Sequence, residues 1–87
     1  HSREILILLK KILDERLTKK QKYLLRYASS NHHMSVTNSV RFVADELNCS
    51  KSTVWNIIRS LKNCGLIETN GCIRLTYYAK ILMEVIE

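Results

Sequence analysis

Residues 49–71 read CSKSTVWNIIRSLKNCGLIETNG. Ser50 stands where a helix N-cap would, since its short hydroxyl can accept from the backbone of a following first turn. Val54, Ile57, Ile58 and Leu61 then recur at the spacing of one buried helical face over residues 50–63. At about 100° per residue, Ser52, Asn56, Arg59 and Asn63 fall opposite, with Thr53 and Ser60 on one flank and Trp55 on the other. Gly65 suits a left-handed helix end. Two short apolar runs, 66–69 and 72–75, flank Asn70-Gly71, which predicts a two-residue hairpin with a type I′ turn.

No acid occurs between residues 50 and 63. An ordinary solvated helix mixes Glu with Lys. A face of short donors and acceptors with two Lys and one Arg suits base edges and phosphates, from which a carboxylate would be repelled.

Upstream, Val40, Val43, Ala44 and Leu47 form a second helical stripe, capped by Thr37 or Ser39. Asn48 tolerates a left-handed conformation, and Cys49 is the small apolar residue under the turn. The result is helix, tight turn, helix. Before it, Thr18 and Gln21 make a capping box that opens residues 19–30, with Tyr23, Leu24, Tyr27 and Ala28 inward. Residues 29–35 are a polar loop in which His32 and His33 are surface residues. Residues 3–17 form an opening helix with Ile5, Leu8, Leu9, Ile12, Leu13 and Leu17 as its stripe. Thr76 caps a closing helix with Tyr78, Ile81, Leu82 and Val85 as its stripe.

The chain has 87 residues, no proline and two glycines, which predicts one mainly α domain with a small β-hairpin. Net charge is +6, and residues 1–33 hold eight basic groups against three acidic ones. That favours a polyanionic partner, although a lysine-rich soluble surface accounts for the balance equally well. Three cysteines without CxxC spacing predict free thiols in a reducing, cytoplasmic setting, with no zinc pattern even if His32 and His33 are added. The apolar run 5–9 is followed by Lys10-Lys11 and is too short for a membrane span or a signal peptide. Paired carboxylates, a nucleophile with its base, and a Gly-rich phosphate loop are all lacking, so the expectation is no enzyme, no cofactor and no metal. Nor does any motif point to a small-molecule ligand.

The predicted order is α-α-α-turn-α-β-β-α. With residues 39–68, SVRFVADELNCSKSTVWNIIRSLKNCGLIE, and residues 74–86, RLTYYAKILMEVI, it resembles the winged helix-turn-helix family of DNA-binding domains, found in MarR-like and TrmB-like archaeal and bacterial regulators. The likeness covers residues 18–87. It departs at Asn48, where the family usually has Gly, and in a short wing whose only basic residue, Arg74, opposes Glu68. The resemblance implies sequence-specific binding of double-stranded DNA and regulation of transcription, with helix 50–63 in the major groove. Ser52, Thr53, Asn56 and Arg59 would read bases, and Ser39, Arg41, Ser50, Lys51, Lys62 and Arg74 would hold phosphates. Trp55 could pack at the helix flank or touch the DNA backbone.

Winged helices also serve as protein–protein docking modules, which is the alternative reading. Three parts are expected: the opening helix over 1–17, the DNA-binding unit over 18–76 and the closing helix over 77–87. The opening helix carries more apolar surface than one contact uses, with Leu6 and Ile7 beside its stripe, and Met83 and Ile86 extend the closing one. The two helices are expected to pack together and to join a homodimer, the alternative being that the opening helix only covers the domain's own core.

Overall fold

Three hydroxyls start the three central helices. The computed structural model describes residues 2–31 and 33–86, with side chains over 3–31 and 33–83. Its elements are α1 (Ser2–Arg16), α2 (Lys19–Ser30), α3 (Val36–Leu47), α4 (Lys51–Asn63), β1 (Ile67–Thr69), β2 (Ile73–Leu75) and α5 (Tyr77–Ile86). Thr18, Ser35 and Ser50 accept from the backbone N–H of Gln21, Asn38 and Thr53 at 3.1, 3.2 and 3.1 Å. Each such cap contributes about 1 kcal/mol. The Thr18–Gln21 capping box forms in full. In α3 the cap is Ser35 rather than Thr37 or Ser39, so this helix begins earlier than its apolar stripe suggests.

Asn48 takes the left-handed conformation (φ 52°, ψ 51°). The Cys49 N–H returns to the Ala44 carbonyl at 3.0 Å, which closes the turn between α3 and α4. Gly65 does the same at the end of α4 (φ 76°), and the Leu66 N–H bonds the Leu61 carbonyl at 3.0 Å.

The core gathers Leu24 from α2, Val40 and Val43 from α3, Val54 and Leu61 from α4, and Ile73 from β2, all essentially without exposure. Ile57 and Ile58 join them, so the predicted inward face of α4 is the buried one. The strands pair antiparallel, with Ile67 opposite Leu75, Glu68 opposite Arg74 and Thr69 opposite Ile73. Three residues, Asn70, Gly71 and Cys72, therefore lie between the paired ends, not two. Gly71 has φ 82° whereas Asn70 is not at positive φ. This excludes type I′, which needs both. Cys72 is drawn out of the ladder because its side chain is buried and its backbone bridges Ser35.

The outer helices are rotated from their expected phases. Leu13 on α1 and Leu17 just after it pack against the core with Leu6 half-buried on the same side, whereas Ile5, Leu8, Leu9 and Ile12 are 42–59% exposed. Two apolar arcs share this helix, and α5 covers only one. On α5, Thr76 sets the phase: its hydroxyl accepts from the Ala79 N–H at 3.3 Å and donates to the Gly65 carbonyl at 2.7 Å. Ala79 is thereby buried, with Leu82 and Met83 on its side, and Tyr78 is left 75% exposed. His32 and the side chains of Val85 and Ile86 lie outside the described residues.

Leu61, fully buried in the last turn of α4, generates a direct expectation. Leu61→Ala should cost about 2–5 kcal/mol in denaturant melts, a large part of a small domain's stability. A loss below about 1 kcal/mol would contradict the burial.

Candidate nucleic-acid interface

Burial of Val54, Ile57, Ile58 and Leu61 turns the opposite side of α4 to solvent. Lys51, Ser52, Asn56, Arg59, Lys62 and Asn63 are all exposed. The Arg59 guanidinium donates through Nη1 to Asn56 Oδ1 at 3.0 Å. This bond orients both side chains, leaving the Asn56 amide N–H groups and the rest of the guanidinium outward as donors. Ser50 Oγ and Thr53 Oγ1 are 2.9 Å apart, so both hydroxyls are engaged at the cap, and Thr53 is half-buried. Trp55 is 42% exposed and stands outside the core cluster. Its ring is therefore a surface feature of the helix.

One flank of α4 is held by α2. Gln21 accepts from the Thr18 N–H through Oε1 at 2.8 Å, and its Nε2 donates to Ser60 Oγ at 3.0 Å. The capping box was visible in the sequence, but its second task across 39 positions was not.

Ser39 does not reach the outer surface. It is fully buried, and the Tyr27 hydroxyl donates to its Oγ at 3.0 Å. Ser39 is therefore not placed to contact phosphate as expected, because the earlier start of α3 puts it inside the helix and against α2. The same Tyr27 hydroxyl is 3.3 Å from Met34 Sδ, and its ring stacks on Phe42 at 5.5 Å.

Arg41 on α3, Lys62 on α4 and Arg74 on β2 are exposed. The Arg74 Nε donates to Cys72 Sγ at 3.1 Å. That bond raises the guanidinium's already high pKa, so Arg74 stays cationic. The residues expected to read bases thus share one helix, while the others expected to hold phosphates are spread over α3, α4 and β2. The acids nearest α4 in sequence, Glu46 near the end of α3 and Glu68 on β1, are exposed, and Glu68 lies opposite Arg74 in the hairpin.

Against models of known families, curated proteins and solved structures, the chain matches none. Among the described residues no group of three His, Cys, Asp or Glu side chains could hold a metal ion. No described helix is long and apolar enough to cross a membrane.

The Tyr27–Ser39 pair can be checked by a double-mutant cycle. Tyr27→Phe leaves a buried hydroxyl without its donor and should cost about 1–3 kcal/mol. Adding Ser39→Ala removes the orphan, so the second substitution should cost less in that background than alone. Additive losses in thermal or denaturant melts would show the two hydroxyls to be uncoupled.

Proposed function

We propose that this chain is a winged helix-turn-helix domain that binds double-stranded DNA in a sequence-specific manner and regulates transcription. The observation that carries this reading is the outward face of α4: free of acids, rich in short polar groups, and fixed in rotation by four buried side chains. The N-terminal half of α4 enters the major groove. Ser52, Thr53, Asn56 and Arg59 face the bases; Asn suits adenine and Arg suits guanine in bidentate pairs. Lys51 and Ser50 at the helix start, with Arg41, Lys62 and Arg74 around it, neutralise or bond phosphates and set register. The β1–β2 hairpin is the wing.

Arg59→Ala should weaken preferred sites by about 1–3 kcal/mol per good base pair lost while sparing unrelated duplexes. Lys51→Ala should weaken all duplexes alike and lower the salt slope by about 1. Competition binding over a salt series measures both. Affinity that does not respond to salt would instead favour the protein-docking reading.

The chain acts as a homodimer in this proposal. The exposed stripe Ile5-x-x-Leu8-Leu9-x-x-Ile12 reads identically in both directions. An antiparallel two-fold pairing would set Ile5 against the second copy's Ile12 and Leu8 against its Leu9, the self-complementarity that an isologous contact needs. Such a dimer can present two α4 helices about 34 Å apart, one DNA turn. Sedimentation equilibrium at micromolar concentration should give the dimer mass, and Leu8→Glu should give the monomer. A wild-type species at the 10.2 kDa monomer mass would defeat the dimer.

A further inference from the structure

Between α1, α2 and α5 the structure holds a cavity of about 190 Å³, which the DNA-binding face on α4 does not use. One water needs about 10–15 Å³ measured in this way, so the space suits an organic molecule. Its walls are Leu13 of α1 and Leu17 just after it, Leu25 of α2, and Leu82 and Met83 of α5. Leu66 and Ala79 lie at its base and are buried.

The rim has the opposite character. Lys10, Lys22 and Arg26 stand around it with one carboxylate, Asp14. Asp14 is 3.7 Å from Lys10 Nζ and 4.0 Å from Lys22 Nζ, the long end of ion pairing. No carboxylate among the described residues pairs with Arg26. Three cations around one loosely shared anion leave a net positive mouth above an apolar interior. A neutral apolar molecule would leave that charge unused, and a polyanion would find no donors inside. The matching chemistry is a single anionic head on an aliphatic body. The self-complementary stripe of α1 lies on another side of the helix, so a dimer leaves this cavity open to solvent.

We propose that this cavity binds an amphipathic monoanion of the medium-chain carboxylate class. The carboxylate displaces Asp14 from Lys22 and bonds Lys22 and Arg26, and the chain lies along Leu13, Leu25, Leu82 and Met83. This inference does not rest on DNA binding, and its test contains no DNA.

The test is an NMR titration of the full chain with sodium octanoate, 1-octanol and acetate in parallel, below any micelle concentration. Octanoate should shift the Met83, Leu82 and Leu25 methyl signals saturably, and acetate should not. Lys22→Ala with Arg26→Ala should weaken octanoate roughly fivefold, the scale of exposed charge contacts, while leaving 1-octanol unchanged. Neither residue belongs to the buried core, and unaltered amide signals elsewhere establish that the variant folds. Three results would overturn the proposal: no saturable shift, equal binding of 1-octanol and octanoate, or octanoate binding indifferent to the two substitutions. The same holds if these methyl signals move with protein concentration alone, because a second copy then fills the groove.

Discussion

The rotation of α4 about its own axis is decided by Val54, Ile57, Ile58 and Leu61. Turning the helix by a single residue's angle would bring at least one of these into water and bury part of a polar face, at roughly 1.5–3 kcal/mol for each large apolar side chain exposed. Everything outward on this helix follows from that burial. Asn56 and Arg59 meet because they are three residues apart on the far side. Ser60 meets Gln21 because it lies on the flank that α2 covers. The constraint is apolar, but its product is a polar surface of defined orientation.

Around this helix the structure uses polar contacts sparingly and gives several of them two tasks. Gln21 completes its own helix cap and holds α4; Thr76 starts α5 and secures the end of α4. Tyr27 satisfies Ser39, the one fully buried serine among the described residues, while its ring packs on Phe42. In a chain of 87 residues little apolar area is available for burial, so each dual contact replaces a separate one.

The central helices, their order, the turn at Asn48, the stop at Gly65 and the inward face of α4 were legible in the sequence, because local capping chemistry and helical periodicity agree there. The mainly helical fold with one antiparallel hairpin was legible for the same reason. Legibility failed where two arrangements satisfied the local pattern equally. α1 carries two apolar arcs, and only the position of α5 selects between them. Tyr78 fits a stripe by spacing, yet the Thr76 cap places Ala79 over the core. Ser39 resembles a cap in sequence and is instead an interior residue, since Ser35 caps one turn earlier. Asn70-Gly71 signals a tight two-residue turn, but the bridge between Ser35 and Cys72 removes one residue from the ladder. Of the proposed interface, the α4 residues were readable from periodicity alone. The α2 clamp on Ser60 was not, because it depends on a contact between distant segments.

The bond from Thr76 to the end of α4 has a kinetic side. With the Thr76 N–H on the Leu66 carbonyl at 3.0 Å and its hydroxyl on Gly65, both ends of the hairpin are fastened to each other within a short stretch of chain. Closing so short a loop carries little entropic cost and takes about a microsecond to ten microseconds for a hairpin. This unit can therefore assemble from neighbours in sequence, ahead of contacts that must span most of the chain. The α1–α5 packing joins opposite ends of the described residues, so it carries the longest loop of all and belongs to the late steps. Because α1 packs extensively on α5 alone, its release is a local opening of the outer layer in which the Leu24–Val43–Leu61 centre stays closed.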